Sequence, residues 1–158
     1  MTDPLVEAVA DILEQSLRDI RSSIEGLSSD LLNRRPAGPD TNPIGVLAVH
    51  ALSSTRWWFS VATDAPPRER DRPAEFLTMV DDTEAFLGVV DGLSADCRAI
   101  LDGAAPIELG AMRTSAPSYG PPETVTAAWA LVHAIEHLRE HVAHLQLTRQ
   151  LLEEGSSG

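Results

Sequence analysis

The segment HAIEHLREHVAH, residues 133–144, contains four of the five histidines of this 158-residue chain. At about 100° per residue, positions 133, 137, 141 and 144 lie at roughly 0°, 40°, 80° and 20° around a helix axis, so they form one band. Histidines one turn apart can bind the same metal ion at about 2.0–2.1 Å. The segment therefore predicts a long helix with a histidine face, and spacing alone does not select one pair of ligands.

Outward from this segment, apolar residues recur at steps of three and four in three earlier stretches, and stretches rich in proline and glycine separate them. The predicted helices cover residues 4–27, 43–61, 73–102 and 122–154. Asn42 is predicted to cap the second helix, and no alternation typical of strands is found. We expect an all-α fold, an up-down four-helix bundle in one domain over residues 1–154, with 155–158 as a disordered tail. The loop 104–122 is long enough to roof a site.

Composition excludes several classes of function. A net charge of −12 would repel a phosphate backbone, so we expect no nucleic-acid partner. No apolar run approaches the roughly 20 residues of a membrane span, and the amino terminus lacks the features of a secretion signal, so we expect a cytoplasmic protein. With one cysteine, a metal site would use histidine and carboxylate. All twelve basic residues are arginine, a bias associated with GC-rich bacterial genomes.

The remaining histidine, His50, shares a face of the second predicted helix with Leu47, Ser54 and Trp57. This face should point into the bundle, where a buried imidazole needs partners for its ring nitrogens. A metal held by the last helix would supply one, and one histidine from the second helix with two from the last would leave a coordination position open. That ligand count is typical of catalytic zinc.

Simpler interpretations exist for each of these residues. His50 could be an ordinary core histidine, and a histidine-rich helix face is often only solvated. The tryptophans are expected to be packing residues, Cys97 an inert buried thiol, and Glu136 and Glu140 solvent-facing residues. The three tryptophans are Trp57, Trp58 and Trp129.

Three motifs resemble the DinB-like superfamily, which includes the metal-binding domain of mycothiol-dependent maleylpyruvate isomerases. They are LNRRPA at 32–37, NPIGVLAVH at 42–50 and HLREHVAH at 137–144. The resemblance implies a DinB-like bundle with His50, His137 and His141 as metal ligands. It leaves His133 and His144 outside the coordination shell. Ala143 and His144 replace a Gly-Gln pair that is common in the family, so His144 could compete for the metal or transfer protons.

The resemblance also implies a function. Members of the superfamily are thought to use a divalent transition metal, here expected to be zinc or nickel, to activate a small bacterial thiol such as mycothiol or bacillithiol. We therefore expect a metal-dependent thiol S-transferase in detoxification or stress response, with a thiol and an electrophile as partners. The alternatives are a metal-dependent hydrolase and a non-catalytic metal-binding stress protein. The resemblance suggests a homodimer. Candidate substrate-binding residues are Arg56, Trp57, Arg113 and Tyr119.

Overall fold

A computed structural model describes residues 3–66, 69–104, 106–117 and 121–155. Its helices and strands are α1 (Pro4–Ile24), α2 (Ser29–Asn33), α3 (Ile44–Thr63), α4 (Arg72–Glu75), α5 (Thr83–Asp102), β1 (Met112–Thr114), β2 (Thr124–Thr126) and α6 (Ala127–Gly155). The predicted helical class is confirmed, since the only sheet in these ranges is the small β1–β2 ribbon. None of the described helices is long and apolar enough to cross a membrane.

The long helices begin where short polar side chains can accept the first free backbone amides. Asp3 accepts from the amide of Leu5 at the start of α1, and Asp82 accepts from the amide of Ala85 at the start of α5. Helix α3 differs from the prediction, because Pro43 and not Asn42 occupies the cap position and no side chain caps the helix. Its start depends instead on the fixed φ of proline.

Among the long helices, α3 is the most enclosed, because its buried residues lie on nearly every face. It packs against α6, α5, α2 and α4, while α1 packs against α6 and α5. A helix that is apolar around most of its circumference is typical of the centre of a protein. The α3–α6 interface is the most extensive contact in the fold, and it brings the two histidine-bearing helices together.

The predicted third helix, 73–102, is in fact interrupted. The side chain of Asn33 donates to the carbonyl of Val80 and accepts from its amide, each at 2.8 Å, which holds the backbone of Val80 outside any helix. The chain then restarts as α5 behind Asp82. A pairing across 47 residues thus overrides the local helical pattern.

The predicted last helix starts later than expected. Residues 124–126, Thr-Val-Thr, form β2, which pairs antiparallel with β1 so that Arg113 lies opposite Val125. Two threonines and a valine favour a strand because their β-branched side chains fit a pleated surface. Backbone hydrogen bonds from Ala127 and Ala128 to residues 111 and 109 continue the ribbon into α6. The ribbon lies over α3, where it helps to wall the site.

Candidate metal centre

Three histidines meet at the α3–α6 interface. His50 of α3 and His137 and His141 of α6 each place one ring nitrogen within 4.8 Å of the others. The ring centroid of His50 lies 5.2 Å from that of His137 and 4.9 Å from that of His141. The Nε2 atoms of His137 and His141 are 3.2 Å apart. Two positions one turn apart on α6 thus converge on a single residue from the facing helix.

A buried ion-pair network orients His50. Its Nδ1–H donates to Glu75 Oε2 at 2.7 Å, and Arg70 donates through Nε to Glu75 Oε1 at 2.8 Å. The three side chains are each less than a tenth exposed. Because an ionised carboxylate only accepts hydrogen bonds, Nδ1 carries the proton and Nε2 presents its lone pair. A carboxylate behind a histidine is the common arrangement at metal ligands.

The sequence analysis missed Glu75, which it placed at the start of the predicted helix 73–102 without a role. The local signal is modest: Asp71 caps α4 through the amide of Ala74, and Pro73 lies in its first turn. These residues predict a helix start. They do not show that the last residue of this short helix turns inward to a histidine 25 positions earlier.

The burial of the cluster changes the pKa values of its members. Burial alone would raise the pKa of Glu75, but the hydrogen bonds from His50 and Arg70 and the charge of Arg70 outweigh it, so this pKa is lowered. Burial, reinforced by neighbouring histidines, lowers the pKa of His137 to about 3 and that of His141 to about 4. Both imidazoles are therefore neutral at pH 7, the form that binds metal.

The donor set fits a divalent ion of the zinc type. Two nitrogens bound to one tetrahedral ion at 2.0–2.1 Å lie about 3.3 Å apart, close to the observed 3.2 Å between His137 and His141. The other ring nitrogens, Nδ1 of His137 and Nδ1 of His141, are buried without a hydrogen-bond partner among the described residues, so the fit to a metal rests on the Nε2 atoms. Three neutral rings that turn nitrogens toward one another satisfy few hydrogen bonds among themselves, and a cation is complementary to their lone pairs.

A cavity of about 230 Å³ opens beside the cluster. His50 and His137 form its floor, Trp57 and Trp58 belong to its walls, and Ser115 reaches it from the loop that was expected to roof a site. Trp57 and Trp58 are buried and perpendicular to one another, with ring centroids 4.8 Å apart. The space is polar where the arginines and Glu123 line it. A small molecule in the cavity can thus reach His50 and His137.

Two other histidines flank the cluster on α6. His133 stacks on the half-exposed ring of Trp129 at 4.7 Å and lines the cavity. His144 is exposed, with its ring 5.7 Å from that of His141. Neither belongs to the group of three converging ring nitrogens found among the described residues.

The remaining candidates lie in different places. Trp57 lines the cavity, and Arg113 lines a neighbouring one, whereas Arg56 is turned away, bonded to Asp96 and to the carbonyl of Glu69. Tyr119 lies outside the described residues. The expectation for Cys97 is confirmed: it is fully buried, and burial raises its pKa to about 12. Glu136 and Glu140 are exposed, as expected.

The lowered histidine pKa values predict that the metal-free protein loses stability on mild acidification. In the unfolded chain His137 and His141 titrate near 6.5, whereas in the folded protein they titrate near 3 and 4. Between these values the unfolded state binds more protons, so the contribution of the two histidines to the free energy of unfolding should fall as the pH drops from about 6.5 toward 4 and stay constant above 6.5. Urea unfolding with a chelator at pH 7 and pH 5 measures this loss.

A variant with glutamine at both positions provides the comparison, because it cannot take up these protons. It should lose less stability between pH 7 and pH 5 than the parent chain does. The contribution of Glu75 is lost only at more acid pH, as the pH falls through its lowered pKa. If both proteins lost the same unfolding free energy between pH 7 and pH 5, the lowered pKa values of His137 and His141 would be contradicted.

A mainly helical domain with three histidines converging between two facing helices has the features of the DinB-like class of proteins. The chain belongs to the mycothiol-S-transferase family, a DinB-like family, whose model matches residues 8–154. Among solved structures, the chain is similar to one described as the crystal structure of the conserved protein of locus from Enterococcus faecalis. That similarity has a TM-score of 0.73 and 16% identity, covers 98% of this chain and 99% of the other, and shows the fold alone. No curated protein sequence matches significantly.

Proposed function

We propose that this protein is a divalent-metal-dependent S-transferase that uses mycothiol as its thiol substrate. The observation that carries the proposal is the convergence of His50, His137 and His141 beside an open cavity, in a chain of the mycothiol-S-transferase family. We propose these three residues as the metal ligands, with zinc or nickel as the ion, since imidazole nitrogens suit both. Three neutral ligands leave the ionic charge uncompensated and favour an anionic fourth ligand.

A divalent ion at this position would lower the pKa of a coordinated thiol, so that thiolate is available at neutral pH. The residues of the chain have separate roles around that chemistry. Glu75 fixes the ring of His50 so that Nε2 faces the other two histidines. Burial keeps His137 and His141 neutral. Trp57 and Trp58 form the apolar part of the cavity lining, against which the carbon atoms of a substrate could pack.

The thiol must come from solution. Cys97 is buried in the core and hydrogen-bonded to the carbonyl of Leu52, so a substrate cannot reach it as a nucleophile. The rest of the chain contains no second cysteine. The proposed reaction joins the sulfur of mycothiol to an electrophilic carbon, with a leaving group released or a proton added.

We also infer that α1, α3, α5 and α6 form the up-down four-helix bundle that the sequence predicts. Their mutual contacts support this arrangement, since α3 and α1 each pack against both α5 and α6. The proposed metal ligands then lie between facing helices, the usual place for metal sites in bundles.

Cobalt substitution tests the proposal directly. Addition of millimolar mycothiol to the cobalt-loaded protein should produce an intense near-ultraviolet charge-transfer band, because sulfur coordination adds that transition. The zinc- or nickel-loaded protein should also form the thioether from mycothiol and an activated aryl halide. A cobalt spectrum that mycothiol leaves unchanged would reject thiol activation and favour a hydrolase, in which the open position holds water.

A further inference from the structure

A second cavity lies beyond Trp57, away from the histidines. Its volume is about 470 Å³, and it is formed between the carboxyl end of α3 and strand β1. Trp57 and Ala116 line both this cavity and the one at the histidines, so the two adjoin along one wall. We call these two adjoining cavities the trench, and their volumes are of the order that small-molecule sites have. The trench begins at the proposed metal ligands and ends at Asp64 and Arg113, which we call the distal pair.

Arg113 is held in place but incompletely bonded. It is the central residue of β1, opposite Val125 in the ribbon, and its side chain is 22% exposed. Its Nε is buried and has no hydrogen-bond partner in the described part of the chain. Its NH1 lies 4.0 Å from Asp64 Oδ2, an ion-pair distance that is too long for a hydrogen bond. The terminal N–H groups, and not the enclosed Nε, are therefore the donors available to a ligand in the cavity.

Asp64 has an unusual backbone. It ends α3 in the left-handed conformation, with φ 58° and ψ 24°, and its amide donates to the carbonyls of Ser60 and Val61. Among the described residues it is the only one other than glycine with a positive φ. Glycine or asparagine is the usual residue at this position of a helix end. The aspartate instead places an exposed carboxylate at the rim of the cavity, beside Arg113.

The distal pair matches a polyol better than it matches an ion. A hydroxyl group both donates and accepts, so neighbouring hydroxyls can donate to Asp64 and accept from Arg113 at once. The two opposite charges cancel, and the carboxylate of Asp64 would repel an anionic ligand. The ring of Trp57 adds an apolar surface that lines both cavities.

We propose that the distal pair, Asp64 and Arg113, binds the polyhydroxylated glucosaminyl-inositol part of mycothiol while the sulfur lies at the histidines. This inference rests on the proposed function for its choice of ligand. It adds a binding site formed by Asp64, at the end of α3, and Arg113, in the β-ribbon. The thiol would then lie at one end of the trench and the hydroxyl groups at the other. It also predicts that bacillithiol, whose malate arm carries carboxylates, binds less well than mycothiol, because Asp64 would repel that arm.

Calorimetric titration with thiol-free glucosaminyl-inositol tests the inference without any transferase assay. The wild-type protein should bind this probe saturably, and Arg113→Met should raise its Kd at least 10-fold, because charge-assisted hydrogen bonds are lost. Asp64→Asn should also weaken binding, and asparagine tolerates the left-handed backbone, so this variant should fold normally. Arg18→Met is the matched control, since Arg18 is an exposed arginine on α1 bonded to Gln15. Its Kd should equal that of the wild type.

Three results would overturn the inference: no binding of the probe to the wild type, equal Kd values for Arg113→Met and the wild type, or displacement of the probe by an equal concentration of L-malate. The His141→Ala variant separates this inference from the proposed function. It should still bind the probe, because the distal pair does not depend on the metal. Binding that depends on Arg113, in a metal-loaded protein without transferase activity, would reject the proposed function and leave the distal site supported.

Discussion

Replacement of His141 with alanine is expected to reduce bound metal from about one ion per chain to a trace, because a pair of ligands does not hold a divalent ion firmly in water. The variant keeps His50 and His137, whose ring centroids are 5.2 Å apart, but loses the nitrogen that lies 3.2 Å from His137 Nε2. Elemental analysis after dialysis against zinc at micromolar concentration gives the stoichiometry. Circular dichroism of the same samples checks that the helices are intact.

His144 and His133 provide matched controls on the same helix. Each lies within eight residues of His141 but outside the group of three converging nitrogens found among the described residues. Alanine at either position should leave the metal content unchanged. If His133→Ala or His144→Ala lost as much metal as His141→Ala, or if all three retained it, the ligand assignment would be wrong.

The largest expected effect on stability follows from Glu75→Ala. This substitution leaves the Arg70 guanidinium buried without its counterion and removes the acceptor for the Nδ1–H of His50. Removal of one partner from a buried ion pair costs about 3–5 kcal/mol of unfolding free energy. For a domain of this size that corresponds to a fall in Tm on the order of 10 °C. Thermal and urea unfolding of the metal-free protein would measure it.

Glu140→Ala is a suitable comparison, since it removes an exposed carboxylate from α6 and should change stability by less than about 0.5 kcal/mol. Glu75→Gln isolates the role in metal binding. It retains an oxygen that can accept from His50 but loses the charge, so metal affinity should fall about 10- to 100-fold while the protein folds. A Glu75→Ala protein as stable as Glu140→Ala would show that the Arg70–Glu75–His50 network is not a stabilising element.

The Arg70–Glu75–His50 network could not be predicted from local sequence patterns. Glu75 lies at the start of the predicted helix 73–102, just after a charged stretch, and its side chain is almost completely buried. Glu69, six residues earlier, is exposed, and no local pattern indicates that Glu75 turns inward. Its role depends on α4 packing against α3, a contact that no local spacing encodes.

Arg56 and Arg113 were both candidate substrate-binding residues, and only Arg113 lines one of the two cavities. Both were candidates because arginines are frequent partners of polar substrates. Arg56 lies next to Trp57 in sequence, but one residue turns it about 100° around α3, where Asp96 binds it. Arg113 was placed in a loop, and the ribbon directs it toward the trench that Trp57 lines.

The sequence by itself determined the helical class, the histidine face of the last helix and the inward face of the helix that carries His50. These properties depend on positions three or four residues apart, and helix geometry relates such positions without reference to the rest of the chain. Only the tertiary structure decided the break at Val80, the ribbon at residues 112–114 and 124–126, the burial of Glu75 and the meeting of Asp64 with Arg113. Each of these depends on residues 25 or more positions apart or on a strand pairing. Such contacts form only when helix packing brings particular faces together, and local spacing does not specify that packing.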